Sequence, residues 1–149
     1  MSDRTRGYAL RYEIGATPAT VWDGLIDPAR ISVWYGAGAR VTAREGGTFR
    51  LKPKPGMERQ AHVDVFQPPH RLRLIYLPAA EMPALDGVIV DDFIIDTHAG
   101  KTRICLLGSG FPRAFEHAEF FQFVQSHWSR SLARLKVECE RRAEDVAAQ

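Results

Sequence analysis

The side chains that could do chemistry in this chain are few and widely spaced. None of the five histidines pairs with another histidine, or with a cysteine, at a spacing typical of metal ligands (His62, His70, His98, His117 and His127). Ser109 lies between two glycines but not in the G-x-S-x-G turn of serine hydrolases. No glycine-rich loop has the spacing of a phosphate or dinucleotide site. The sequence therefore predicts no metal site, no nucleophilic serine and no cofactor.

Acid–base groups are the remaining chemical candidates. Asp91 and Asp92 are adjacent in a predicted strand, so they point to opposite faces and one of them could enter the interior. Alternatively, a bulge or the strand edge brings both to solvent, which the rarity of buried unpaired carboxylates favours. His127 is either a base or hydrogen-bond partner at a pocket edge, or a partly exposed helix residue. No catalytic residue is assigned, and the weak candidates are His127, Asp92 and Tyr76.

The N-terminal segment predicts one strand followed by two short helices. Apolar residues alternate with polar ones up to Gly15 and predict a strand with one buried face (Tyr8, Leu10, Tyr12 and Ile14). Thr17 is a good N-cap and Pro18 a good first helical residue. Asp27 and Pro28 then end this helix and begin a second one.

The middle of the chain predicts a run of about six short strands. Alternation and turn residues place them near 40–45, 49–52, 61–66, 71–76, 88–95 and 102–107. The long segment from Pro78 to Gly87 carries two prolines and no clear period, which predicts a mobile loop at the mouth of any pocket.

The C-terminal segment predicts a long amphipathic helix. No glycine or proline occurs from about Glu116 to Asp145, and at helical spacing one apolar stripe emerges (Phe121, Val124, Trp128, Leu132, Leu135 and Cys139). An antiparallel sheet must cover one face, and this helix is the element large enough to do so. The sequence therefore predicts an α+β helix-grip fold, a curved antiparallel sheet of six or seven strands around the C-terminal helix.

Size and composition are those of an ordinary globular protein. The 149 residues predict one domain, 1–149, and 45% apolar with 26% charged residues argues against disorder. A formal charge of +2 without a basic stripe predicts no nucleic-acid partner. No apolar run or N-terminal leader suggests a membrane or export. Cys105 and Cys139 are too far apart for a disulfide framework and fit a cytoplasmic protein.

Several stretches, taken in order, resemble one known superfamily. They are ATPATVWDGLIDP (16–28), WYG (34–36), EGGTFR (45–50), PPHRL (68–72), KTRICLLGSGF (101–111) and 128–136. The chain is similar to the START, Bet v 1 and polyketide-cyclase-like (SRPBCC) superfamily. Within it, the chain resembles the branch named for the C-terminal domain of the activator of the 90-kDa heat-shock protein ATPase. His127 replaces the glycine usual before the helix tryptophan.

The resemblance implies a small apolar ligand held between sheet and helix, with binding expected rather than catalysis. We expect the cavity to be lined by residues of both elements (Tyr12, Trp34, Val63, Leu74, Tyr76, Phe120, Val124 and Trp128). The same aromatic residues could instead fill a solid core. Two alternatives stay open, a cyclase- or dehydratase-like enzyme using this cavity and a chaperone-linked protein-binding module.

Two surfaces suggest further partners. Phe123 lies off the apolar stripe, and its exposure beside Phe120 would favour a weak homodimer. Strand parity also predicts a basic outer face on the sheet (Arg40, Arg44, Arg50, Lys52, Arg71, Arg73 and Arg103). Such a face either serves solubility and edge protection or docks an acidic partner.

Overall fold

Seven strands and three helices occupy the part of the chain that the structure, a computed structural model, describes: residues 4–78 and 87–148. In chain order they are β1 (Thr5–Ile14), α1 (Pro18–Ile26), α2 (Pro28–Trp34), β2 (Arg40–Val41), β3 (Thr48–Lys54), β4 (Met57–Gln67), β5 (Arg71–Tyr76), β6 (Ile89–His98), β7 (Lys101–Pro112) and α3 (Ala118–Ala147). Neighbouring strands are antiparallel, in the order β1-β7-β6-β5-β4-β3-β2. The predicted α+β helix-grip fold is confirmed.

The two short helices begin where their capping residues predict. The Thr17 hydroxyl accepts a hydrogen bond from the Thr20 amide at 3.2 Å, and the Asp27 carboxylate accepts one from the Ala29 amide at 3.0 Å. Each helix then has proline in its first turn, where the missing N–H costs nothing. These caps and prolines set where α1 and α2 begin in the segment that connects β1 to β2.

Helix α3 buries the predicted stripe against the sheet and the two short helices. All six predicted stripe residues are buried, together with His127 and Ser131. The main packing partners of α3 are β1, α1 and α2. The helix therefore lies closest to the end of the sheet that β1 forms. Large side chains fill the space between the helix and strands β4 and β5.

Two stretches depart from the regular alternation from which their strands were predicted. A register shift between Val63 and Val65 reverses the alternation of β4, so Val65 pairs with Arg73 and Phe66 packs on Trp22 with ring centroids 5.3 Å apart. This is the expected effect of a bulge. The strand predicted near 40–45 also ends early, because β2 stops at Val41, and Ala43 is exposed.

The predicted loop from Pro78 to Gly87 lies almost wholly outside the described residues. Within 4–78 and 87–148, no helix has both the length and the apolar character that crossing a bilayer requires.

Candidate functional site

Strand β6 turns a carboxylate into the protein interior. Asp91 is fully buried, whereas Asp92 faces the outer side and pairs with Arg71 at 2.9 Å. The candidate carboxylate of the interior is therefore Asp91 and not Asp92, because β6 keeps its alternation without the bulge that would bring both to solvent. Asp91 lies opposite Leu74 on β5 and Gly108 on β7.

Two tyrosine hydroxyls donate to this buried carboxylate, one to each oxygen. Tyr8 Oη lies 2.6 Å from Oδ1 of Asp91, and Tyr76 Oη lies 2.7 Å from Oδ2. The ring of Tyr8 crosses Gly108, where a Cβ atom would lie 2.2 Å from the ring. Glycine at that position is therefore what allows Tyr8 to reach Asp91.

Arg59 of β4 brings a positive charge to the same place. Its side chain is buried, with Nη1 4.0 Å from Oδ2 of Asp91 and the guanidinium carbon 3.9 Å from the centroid of the Tyr76 ring. Phe120 lies on another side, with its ring centroid 5.7 Å from that carbon. Both terminal nitrogens of Arg59 lack a hydrogen-bond partner among the described residues. Buried polar groups usually have partners, so these N–H donors are an exception that calls for an explanation.

The charges of this cluster shift the pKa values of its members in consistent directions. Burial raises the pKa of Asp91, although Arg59 and the two tyrosine hydroxyls lower it in part. Burial and the Asp91 charge raise the pKa of Tyr8 and of Tyr76 well above the ordinary value. Burial alone would lower the pKa of Arg59, but the neighbouring tyrosines and Asp91 together raise it by more than burial lowers it. The pKa of Arg59 is therefore above its ordinary value, and the guanidinium stays charged.

The interior near the cluster is almost filled by aromatic and aliphatic side chains. A cavity of about 10 Å³ remains, room for roughly one water molecule, lined by Leu25, Ile31, Trp34, Phe49, Leu51, Leu74, Phe93 and Trp128. Ser131 Oγ, on α3, is also buried without a hydrogen-bond partner among the described residues. The indole N–H of Trp128, on the same helix, acts on Asp91 and lowers its pKa. Unpaired donors therefore come from the sheet and from α3.

The predicted pocket residues lie between the sheet and α3, but not all at one cavity. Trp34, Leu74 and Trp128 line the small cavity. Val63, Tyr76 and Val124 are buried elsewhere in the same core, and Phe120 is half-buried over Arg59. Tyr12 is half-buried too, and its hydroxyl donates to the Ser129 carbonyl at 3.0 Å.

His127 joins two helices and takes no part in the cluster. Its Nε2 lies 3.0 Å from the Tyr35 carbonyl oxygen, so Nε2 carries the proton and donates. The ring stacks on Phe123, with centroids 5.7 Å apart, and meets the Tyr35 ring edge-on. Burial lowers the pKa of His127. These contacts describe a neutral histidine that fixes α3 to the end of α2.

Sequence reasoning did not identify Arg59 or Tyr8 as site residues, and it left open which aspartate is interior. Arg59 has the inward parity of Ala61 and Val63, so the available signal was an arginine at a core position of a strand. Charged residues are rarely buried unless they are paired. An arginine in such a position predicts a buried partner or a ligand.

A second buried charge pair lies away from this site. Arg30 of α2 bonds Glu138 of α3 at 2.6 Å and also reaches the Thr20 carbonyl and the Cys139 sulfur. Burial raises the pKa of the Cys139 thiol to about 12, so it stays protonated. Cys105 is half-buried on the outer side of the sheet. No group of three or more histidine, cysteine, aspartate or glutamate side chains fit to hold a metal occurs in the described ranges.

The fold and its buried site define the chain as a helix-grip protein. Residues 15–140 match the family described as "Activator of Hsp90 ATPase homolog 1-like protein", and the chain belongs to that family. No curated protein matches the chain.

Solved structures share its fold at low sequence identity. Protein MLL2253 from Mesorhizobium loti is similar with a TM-score of 0.79 and 20% identity, over 91% of this chain and 98% of that one. The Aha1 dimer from Colwellia psychrerythraea is similar with a TM-score of 0.77 and 18% sequence identity, over 91% of this chain and 96% of that chain. CalU16 from Micromonospora echinospora is similar with a TM-score of 0.68 and 20% sequence identity, over 89% of this chain and 73% of that chain.

Proposed function

We propose that this protein binds a small, largely apolar molecule between its sheet and α3. The observation that carries the proposal is Arg59, a buried guanidinium whose terminal N–H donors have no hydrogen-bond partner among the described residues, in a core lined mainly by aromatic and aliphatic side chains. An unpaired buried donor costs roughly 1–3 kcal/mol, and more when it is charged. A ligand that accepts these hydrogen bonds removes that cost, whereas the aromatic side chains around it supply apolar contact.

Binding fits the cluster better than acid–base catalysis does. Each oxygen of Asp91 already accepts a hydrogen bond from a tyrosine hydroxyl, and these bonds lower the pKa of Asp91 and so weaken it as a base. The raised pKa values keep Tyr8 and Tyr76 protonated, and Arg59 can only donate. The cyclase- or dehydratase-like alternative would need a substrate to share Asp91 with Tyr8 and Tyr76.

The N-terminal turns of α3 are the proposed route into the interior. This end of the helix has no side-chain N-cap hydrogen bond, and the preceding 3₁₀ turn, Phe115–His117, exposes the Phe115 ring. A missing cap weakens the first helical turn by about 1 kcal/mol. Phe120, which covers Arg59, lies in that turn. Displacement of this turn would uncover the guanidinium and create room for a ligand while the rest of α3 stays packed.

The test is a blocking substitution with a matched control on the same helix. Val124 is 2% exposed and faces the sheet, whereas Val137 is 52% exposed. We expect the wild type to bind the apolar fluorophore N-phenylnaphthylamine. Val124→Trp should lower its affinity about tenfold or more by filling the interior, and Val137→Trp should not. Thermal unfolding of both variants checks that they are folded.

Equal binding by the two variants, or no binding by the wild type, would contradict the proposal. Native mass spectrometry of protein purified from cells is the complementary measurement. A co-purified small molecule that is retained by Val137→Trp and lost by Val124→Trp would support the interior site.

A further inference from the structure

We propose that the ligand of the sheet–helix interior is a neutral molecule that presents a carbonyl oxygen to Arg59, and that carboxylates are excluded. This inference rests on the proposed function and adds the chemical class of the ligand. It follows from the number of free donors, the charge of the cluster and the shape of its walls.

Within the described residues, the free donors of the cluster belong to Arg59, a group that can only donate. Arg59 has five N–H donors and no acceptor, and both terminal nitrogens are unpaired. The indole N–H of Trp128 is directed to Asp91, whose pKa it lowers, so it is not a free donor. Two kinds of acceptor lie near Arg59: the oxygens of Asp91, each of which already accepts a tyrosine hydroxyl, and the hydroxyl of Tyr35. Neither forms a hydrogen bond with the terminal nitrogens of Arg59, and Oδ2 of Asp91 lies 4.0 Å from Nη1. A complementary ligand therefore supplies an acceptor oxygen.

The charge of the cluster decides between the possible acceptors. Arg59 and Asp91 already form one positive and one negative charge 4.0 Å apart in a buried site. A ligand carboxylate would place a second negative charge beside the same guanidinium. A buried charge without its own partner is strongly unfavourable, because it gives up its hydration and gains no compensating charge. A carbonyl oxygen accepts the same N–H bonds and leaves the charge balance unchanged.

The walls around the guanidinium limit the approach of that oxygen. Tyr76 lies against one side of Arg59, with 3.9 Å between the guanidinium carbon and the ring centroid. Phe120 lies at 5.7 Å and is half-buried. A flat ligand that takes the place of the Phe120 ring would keep aromatic contact and present an edge oxygen to the N–H groups. An aryl ketone has this shape.

The experiment compares three naphthalenes substituted at the same ring carbon with an acetyl, an ethyl or a carboxylate group. The acetyl and ethyl compounds differ chiefly in the acceptor oxygen. We expect the affinity ratio of acetylnaphthalene to ethylnaphthalene to fall at least tenfold on Arg59→Met, because a hydrogen bond to a charged group contributes about 1.5–3 kcal/mol and 1.4 kcal/mol is tenfold. Because both compounds have nearly the same size, dividing the affinity for acetylnaphthalene by that for ethylnaphthalene cancels any difference in pocket volume between the wild type and Arg59→Met.

The matched control is Arg50→Met, an exposed arginine on the neighbouring strand β3, which should leave the ratio unchanged. In the wild type, naphthoate should bind more weakly than acetylnaphthalene. If Arg59→Met does not fold, Arg59→Met with Asp91→Asn removes both charges and should give the same loss of the ratio.

The outcomes separate this inference from the proposed function. Naphthoate binding more tightly than acetylnaphthalene would overturn the neutral-carbonyl inference. A ratio that is unchanged by removal of Arg59 would do the same, and the proposed function would stand because the compounds still bind. If none of the three compounds binds the wild type, both proposals fail.

Discussion

The buried pair of Arg59 and Asp91 gives the clearest prediction at the scale of single residues. Arg59→Met leaves Asp91 without its compensating charge, and breaking a buried pair in this way costs about 3–5 kcal/mol in the free energy of unfolding. Adding Asp91→Asn should recover part of that loss. Urea denaturation of both variants measures the effect.

The control for this pair lies on the outer face of the same sheet. Arg71 and Asp92 are 2.9 Å apart but partly exposed to water. Arg71→Met should therefore change stability by no more than about 1 kcal/mol. If Arg59→Met lowers the free energy of unfolding by no more than Arg71→Met does, the interior charges are better solvated than their burial indicates.

His127 predicts a pH dependence of stability. Burial lowers its pKa below the ordinary 6.5, so the unfolded chain binds this proton more readily than the folded one. The stabilising contribution of neutral, buried His127 is fully present above pH 6.5. It is lost as the pH falls from 6.5 towards the lower pKa that His127 has in the folded protein. We expect the urea midpoint to fall in this window, and His127→Gln to flatten the fall. His62→Gln, on an exposed strand position, should not flatten it.

At the scale of elements, Trp128 holds α3 to the sheet and to α2. Its ring lies 4.7 Å from Tyr35 and 5.3 Å from Phe93, measured between centroids, and the side chain is buried. Trp128→Ala should lower the free energy of unfolding by about 3–5 kcal/mol. Val137→Ala, on the exposed side of the helix, should cost less than about 0.5 kcal/mol. A loss below about 1 kcal/mol for Trp128→Ala would contradict its place in the core.

The two ends of the inner face of α3 should differ in local stability. The uncapped first turns pack half-buried Phe120 and Phe123, whereas the segment from Trp128 to Cys139 packs fully buried side chains. Native-state amide exchange should therefore be faster at 122–124 than at 131–135 and should proceed by local opening. Equal protection of the two segments would argue against access to the interior through the first turns.

At the scale of the whole molecule, the outer face of the sheet is less basic than its arginines predict. Asp92, Asp64 and Asp96 pair with Arg71, Arg73 and Arg103 at 2.9, 3.8 and 3.1 Å. These aspartates lie on the same outward positions of neighbouring strands, so they offset the charge of β5 and β7. The predicted basic face is therefore reduced to the part formed by β2, β3 and their connection.

Three exposed arginines remain in that part, Arg40, Arg44 and Arg50. We expect them to be solvated and to serve no partner. Their combined reversal to glutamate should leave the set of proteins recovered from lysate unchanged at low and at high salt. Salt-sensitive loss of a recovered protein would instead support docking of an acidic partner, because exposed charges are screened within about 10 Å at 0.1 M salt.

A weak homodimer through the N-terminal end of α3 remains a prediction, and the structure changes the residue that tests it. Phe123 is half-buried against His127 and lies 4.8 Å from Lys54 Nζ, whereas Phe115 is 92% exposed. We expect the sedimentation-average mass to rise with concentration and Phe115→Ser to reduce the rise. Val146→Ser, exposed near the other end of α3, is the control. A monomer mass at all concentrations would exclude the dimer.

Local patterns in the sequence determined the elements and most of their buried faces. The stripe of α3, the caps at Thr17 and Asp27 and the alternation of β1 and β5 are all present in the structure, because each depends on neighbours within a few residues. The bulge near Asp64 was not predictable in this way. Nothing in the alternation of 61–66 marks it, and it follows from the pairing of β4 with β5.

The tertiary structure alone decided the candidate site. Its four main residues, Tyr8, Arg59, Tyr76 and Asp91, lie on four different strands, and the hydrogen bonds of Asp91 span 83 and 15 residues. The sequence determined that Tyr8 faces inward, but strand order brings it across Gly108 to one particular carboxylate. Parity states which face of a strand a side chain takes, whereas the partner on that face depends on register and on how the sheet closes over α3. For this reason the sequence determined an apolar interior, and only the fold placed a charged, incompletely paired cluster within it.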